Sequence, residues 1–209
     1  MTYDTPGVRV ADEGLRERKK RATRRALRLA ALRLVAERGL EHVTTDEIAA
    51  VADVSPRTFF NYFASKEDAL VGNDPEVARR VADALAARPA GEPPVAALRA
   101  VFVAQAGDVV LDQDIWTLRA QVVRTTPQLV PAMIAASAEL ERAIAAGVAA
   151  RTGADPQDLY PALVAAVAAA AARTAVRHCG AHGFARPLAE EFADVFDALA
   201  AGLPVPPPG

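Results

Sequence analysis

Cysteine is nearly absent from this chain. Cys179 stands alone among 209 residues, so no internal disulfide can form and nothing calls for an oxidising compartment. Aromatic residues are scarce at 5%. Alternating β-branched runs are almost missing, which leaves little material for strands. There is no long apolar segment either. The most apolar run, Pro161 to Ala172, is mostly alanine and ends at Arg173, short of the ~20 apolar residues that cross a bilayer. The N-terminus is polar, unlike a secretory leader. No Gly-rich phosphate loop, nucleophile-elbow sequence or H-E-x-x-H motif is present, so the usual signatures of phosphoryl-transfer, hydrolytic and zinc enzymes are missing. These absences point to a soluble, cytoplasmic protein that is not an enzyme, with no catalytic residues, no cofactor, no metal and no membrane partner.

What fills the chain is alanine, leucine, valine, arginine and glutamate. Alanine is the best helix former, and the composition reads as all-α. The net charge of −2 hides an asymmetry. Between Leu15 and Arg38 lie ten basic residues against two acidic ones, whereas residues 71–209 carry eleven basic and fifteen acidic. A basic arm on a slightly acidic body suits an anionic polymer at one end. Arg21 and Arg24 sit in that arm.

Leu27, Ala31, Leu34 and Val35 mark one face of a first helix from about Thr23 to Arg38, closed by Gly39. Residues 1–14 are expected to be a disordered lead. Thr44 with Glu47 predicts a capping box for a second helix. Asp53 falls in the turn, where a positive φ is expected. Ser55 caps a third helix, with Pro56 at its first position, and Ser65 with Asp68 opens a fourth. Pro75 is expected to kink the fourth helix, with Glu76–Arg88 as its second half. Residues 88–94 form a loop. Further helices are expected at about Val95–Gly107, Leu111–Thr125, Pro127–Arg151, Gln157–Cys179 and Pro187–Ala201, before an unfolded proline-rich tail.

The segment from Thr44 to Lys66, TTDEIAAVADVSPRTFFNYFASK, has the spacing of a helix-turn-helix. A helix fits the major groove of B-DNA, and its N-terminal side chains reach base edges. Those side chains are Ser55, Arg57 and Thr58, then Asn61 one turn on. Tyr62 and Lys66 stand at the far end, where a phenol and an ammonium can hold phosphates. Phe59 and Phe63 are expected in the core.

AERG (36–39), TTDEIAAVADVS (44–55) and RTFFNYFASKEDAL (57–70) together resemble the N-terminal domain of the TetR family of bacterial transcription regulators. That resemblance implies DNA contacts from Thr45 and Asp46 as well as from Ser55, Arg57, Thr58, Asn61, Tyr62 and Lys66. Three positions depart from the family pattern. Asp53 replaces a common glycine, Phe60 replaces a common tyrosine and so loses a hydroxyl, and Asp46 brings a carboxylate close to the DNA. The resemblance also implies a C-terminal domain that binds a small molecule and forms a homodimer. The expected organisation is a three-helix DNA-binding domain at 15–65, a larger helical ligand-binding and dimerisation domain at 66–202, and a tail at 203–209.

Leu129, Met133, Leu140, Ile144 and Val148 fall on one stripe. Tyr160, Leu163, Val164, Val167, Ala171 and Thr174 fall on another, rich in small residues. Two such helices per subunit suit a four-helix homodimer interface. Candidates for a pocket lining are Leu98, Phe102, Ile115, Trp116, Leu118, Val122, Met133 and Phe184. RAQVVRTTPQL (119–129) is similar to the C-terminal domain of the mycofactocin-regulator subgroup. This implies an acyl-CoA-like effector and a role for Arg119 or Arg124 beside an anionic group. The reading is therefore a homodimeric repressor, released from a palindromic double-stranded DNA operator by a small apolar or amphipathic effector. The rival readings are a DNA-binding protein without a ligand and a helical enzyme or metal protein using His178, Cys179 and His182. Against the metal reading, Gly180 is expected to end the helix between the two histidines, and no glutamate follows His178.

Overall fold

The computed structural model of the chain describes residues 6–72, 74–108 and 112–205. Every regular element among them is a helix, as the composition requires. In chain order these are α1 (Pro6–Arg38), α2 (Thr45–Val51), α3 (Pro56–Phe60), α4 (Lys66–Val71), α5 (Pro75–Ala86), α6 (Pro94–Gln105), α7 (Gln113–Thr125), α8 (Val130–Thr152), α9 (Leu159–Ala181) and α10 (Leu188–Ala200). Short 3-10 turns stand at Leu40–His42, Ala106–Asp108 and Pro127–Leu129.

The chain divides into two compact units. The first is Met1–Asn73 with Thr117–Leu129, and the second is Asp74–Trp116 with Val130–Gly209. The first unit includes α4, which packs on α1.

In the first unit, α1 buries Leu27, Ala31, Leu34 and Val35, the stripe its 3.6-residue spacing predicts. The helix begins earlier than expected. Of the anticipated lead, residues 1–5 lie outside the described residues, and residues 6–14 are helical. Pro6 supplies a first-turn residue whose missing N–H costs nothing, and the charged run that follows has good helix propensity. Gly39 leaves the helix at φ 82°.

The helix expected to kink at Pro75 is two separate helices. Gly72 closes α4 in the left-handed region at φ 78°, and the Asp74 side chain accepts from the Glu76 amide to start α5, with Pro75 at its first position. A left-handed glycine ends a helix outright, whereas proline alone would bend it.

The second unit is built around α8 and α9, which run against each other. α10 packs on α6 and α9, and α5 packs on α8. Ala165, Ala168, Ala169, Ala172 and Ala175 are buried on α9, and such small side chains let backbones approach closely. At Gly147 on α8 an added Cβ would stand 2.5 Å from Leu85 Cδ2. Phe102 stacks on Phe196 at 5.3 Å and meets Phe192 at 5.4 Å. The 88–94 loop is held by Arg151 of α8. Its guanidinium donates to the carbonyls of Leu85 (3.3 Å), Arg88 (3.2 Å), Pro89 (2.5 Å) and Glu92 (2.8 Å).

Pro127 opens a 3-10 turn, and the long helix starts only at Val130. α9 is longer than its most apolar stretch suggested. At 23 residues it is long and apolar enough to cross a membrane by length and composition alone. Five of its alanines, Ala165, Ala168, Ala169, Ala172 and Ala175, instead lie in the core of the second unit. Gly180 does not end it. The Trp116 indole lies where a Cβ at Gly180 would be, and the helix continues to Ala181 with His182 as its cap.

Candidate nucleic-acid interface

Three local devices fix α2 and α3. The Thr44 hydroxyl accepts from the Glu47 amide (3.2 Å), and the Glu47 carboxylate accepts from the Thr44 amide (2.9 Å). This reciprocal bond closes the predicted capping box, and it is the first cause holding the Glu47 carboxyl below its ordinary range. Arg38 adds an ion pair to Glu47 at 3.0 Å, tying the end of α1 to the start of α2. Asp53 occupies the turn at φ 54°, as its place between the two helices predicts; aspartate tolerates the left-handed region better than most side chains. The Ser55 hydroxyl then accepts from the Thr58 amide (3.1 Å) and shares a hydrogen bond with the Thr58 hydroxyl (2.8 Å).

The inner face of this motif is dry. Ile48, Ala49, Phe59 and Phe63 are buried, and Phe59 packs against Phe63 at 5.8 Å between ring centres. The outer face carries Ser55, Pro56, Arg57, Phe60 and Asn61, all exposed. Thr58 and Tyr62 are half-buried, and so is Thr45 at the start of α2, while Asp46 is exposed beside it. α3 therefore presents one guanidinium, one carboxamide and one bare ring on a single surface. Two apolar side chains also face outward, Phe60 at the end of α3 and Val51 at the end of α2. Phe60 is 56% exposed and Val51 is 60% exposed.

Lys66 is placed differently from the expectation. Its ammonium donates to the carbonyls of Leu40 (2.7 Å) and Val43 (2.9 Å). It closes the turn between α1 and α2 and is not held out toward phosphate. Arg24 lies with its guanidinium carbon 4.7 Å from the centre of the Phe63 ring, a cation–π contact that holds the arm against the reader. Arg21 is exposed.

The body candidates separate by burial. Leu98, Phe102, Ile115 and Val122 are buried side chains, the first two in the core of the second unit. Leu118, Trp116, Met133 and Phe184 are half-buried, and the Trp116 and Phe184 rings meet edge to face at 6.4 Å. Arg119 belongs to the first unit. Its Nε donates to the Val71 carbonyl at 3.1 Å, and burial pushes its pKa down. Arg124 is exposed. Ile144 and Val148, expected on a subunit interface, are completely buried within one chain and have no surface to offer a second. The reason is that α8 also serves as the neighbour of α5. Leu140 is half-buried against the same core. On α9, by contrast, Tyr160, Leu163, Val167 and Thr174 are exposed and Ala171 is half-buried.

Comparison with known proteins agrees with this geometry. Residues 27–71 match the family described as bacterial regulatory proteins, tetR family, and residues 92–204 match the family described as MftR C-terminal domain. The HTH-type transcriptional regulator TcmR of Streptomyces glaucescens is 37% identical over 163 residues, covering 74% of this chain and 72% of that protein. Among solved structures, Thermus thermophilus FadR, a TetR-family transcriptional repressor in complex with lauroyl-CoA, is similar with a TM-score of 0.52 and 25% identity. That match covers 89% of this chain and 99% of the other. FadR of Bacillus halodurans, a fatty acid degradation regulator, shares the fold with a TM-score of 0.54 at 18% identity, over 87% of this chain and 96% of the other.

Proposed function

This chain belongs to the tetR family of bacterial regulatory proteins, and from that premise we propose that it is a cytoplasmic, homodimeric repressor released from a palindromic operator by an amphipathic acyl thioester. It is a transcriptional regulator with a helix-turn-helix reader. The observation that carries the finer reading is the exposed face of α3. Arg57 and Asn61 stand outward there, on a helix whose other face is locked by buried Phe59 and Phe63. Arg57 suits a bidentate bond to guanine, and Asn61 suits adenine. Phe60 offers an apolar ring to a thymine methyl group.

Two copies reading a symmetric site need their recognition helices about one helical turn apart, ~34–36 Å. The exposed stripe Tyr160, Leu163, Val167, Thr174 on α9 supports pairing between copies. The similarity to a repressor solved with lauroyl-CoA supports the effector class. Release then follows from linkage. An effector weakens DNA binding only as far as it prefers the DNA-incompetent state, and DNA weakens effector binding by the same factor.

The test is to select genomic fragments on the purified chain, then titrate lauroyl-CoA against the retained DNA. Retention of a palindromic sequence and its release by the thioester are expected. Tight binding of lauroyl-CoA with unchanged operator affinity would leave a DNA-binding protein without this switch.

A further inference from the structure

The end of α9 carries a pair of histidines arranged to hold an ion. His178 and His182 are one turn apart, and because α9 runs through Gly180 to Ala181 the two rings lie on one face. Their centres are 4.2 Å apart and their planes differ by 36°. Each ring is oriented through Nδ1. His178 Nδ1 meets Glu191 Oε2 at 2.9 Å, and Glu191 is buried. His182 Nδ1 meets the His178 carbonyl at 2.8 Å. A carbonyl only accepts, and a carboxylate oxygen accepts from an imidazole N–H, so these partners suit a proton on each Nδ1 and leave each Nε2 without a partner among them. Both side chains are exposed.

We propose that His178 and His182 bind a divalent transition-metal ion through their Nε2 atoms, with water completing its coordination. The carboxylate behind His178 and the carbonyl behind His182 are the outer partners that fix tautomer and ring orientation in metal sites. Imidazole nitrogens bind such ions at ~2.0–2.1 Å, and two rings one helical turn apart on one face are the protein ligands offered here. The C-terminal end of a helix carries partial negative charge and favours a cation. Among the described residues no group of three or more His, Cys, Asp or Glu side chains is gathered for a metal, so the site has two protein ligands. Cys179 is not a third. It is buried, and its thiol is turned to the Arg186 carbonyl. Glu191 is also shared with Arg186, at 3.6 Å, which keeps it behind the rings. This inference does not depend on the regulatory reading.

The chain has three histidines, so the experiment has a clean control. Untagged full-length protein is titrated with nickel chloride, copper sulfate and magnesium chloride by calorimetry. One nickel ion per chain is expected, tighter binding of copper, and none of magnesium, following the order for nitrogen ligands. His178→Gln and His182→Gln should each weaken nickel binding at least tenfold, and Glu191→Gln about tenfold, while His42→Gln leaves it unchanged. Far-UV circular dichroism of the exposed His182→Gln variant checks that its fold is intact. Nickel binding by the two histidine variants equal to the parent's, or no saturable binding by the folded parent, would overturn the proposal.

Discussion

Arg57 and Lys66 carry the same charge on neighbouring helices, yet their surroundings give them different work. Arg57 is exposed on α3. Replacing it with alanine should cost about 1–3 kcal/mol of discrimination at one base pair, measured against a panel of operators each altered at one position. A uniform loss across the panel would put Arg57 on phosphate alone. Lys66 has its ammonium on two carbonyls of the α1–α2 turn. Lys66→Met should therefore lower stability by about 1.5–3 kcal/mol in urea unfolding and leave the salt dependence of DNA binding unchanged. A slope flattened by about one unit would return Lys66 to the DNA. Residue type and position made the outward placement of Arg57 legible in the sequence. For Lys66 they did not suffice, because its partners lie 26 and 23 residues earlier and the path of the chain between is not a local property.

At the scale of elements, the starts of helices were readable and some of their ends were not. Thr44, Ser55 and Ser65 each bond an amide three residues on, and Pro56 follows its cap directly. These signals are local, so sequence contains them whole. Gly180 is the opposite case. A glycine near a predicted helix end reads as a stop, but here it makes room for an indole from α7. Only the tertiary neighbour distinguishes the two uses. Gly180→Ala would drive a methyl group into the Trp116 ring and should cost about 1–3 kcal/mol. Trp116 is the only tryptophan, so its fluorescence should shift together with the melting temperature. An unchanged spectrum and melting temperature would mean the indole is free to move away.

For the whole molecule, the informative contrast is between α8 and α9. Both carry apolar residues at interface spacing, but Ile144 and Val148 are consumed inside the chain while Leu163 and Val167 are 54% and 38% exposed. A helix apolar on most sides has no unique phase, so periodicity could not say which stripe faces a partner. Charging both exposed positions, Leu163→Glu with Val167→Glu, should yield monomers in light scattering, with native helicity and weakened operator binding. Dimers that persist would move the pairing surface elsewhere.

The grip of Arg151 on four carbonyls around 85–92 bears on how the chain can be handled. RPAGEPP has the composition of a loose connector, and such stretches are where tags are spliced in and where limited digestion is expected to nick first. Here the backbone is stitched down from α8, so an insertion would have to pull carbonyls off a guanidinium already inside the fold. A protease should cut elsewhere before it cuts here.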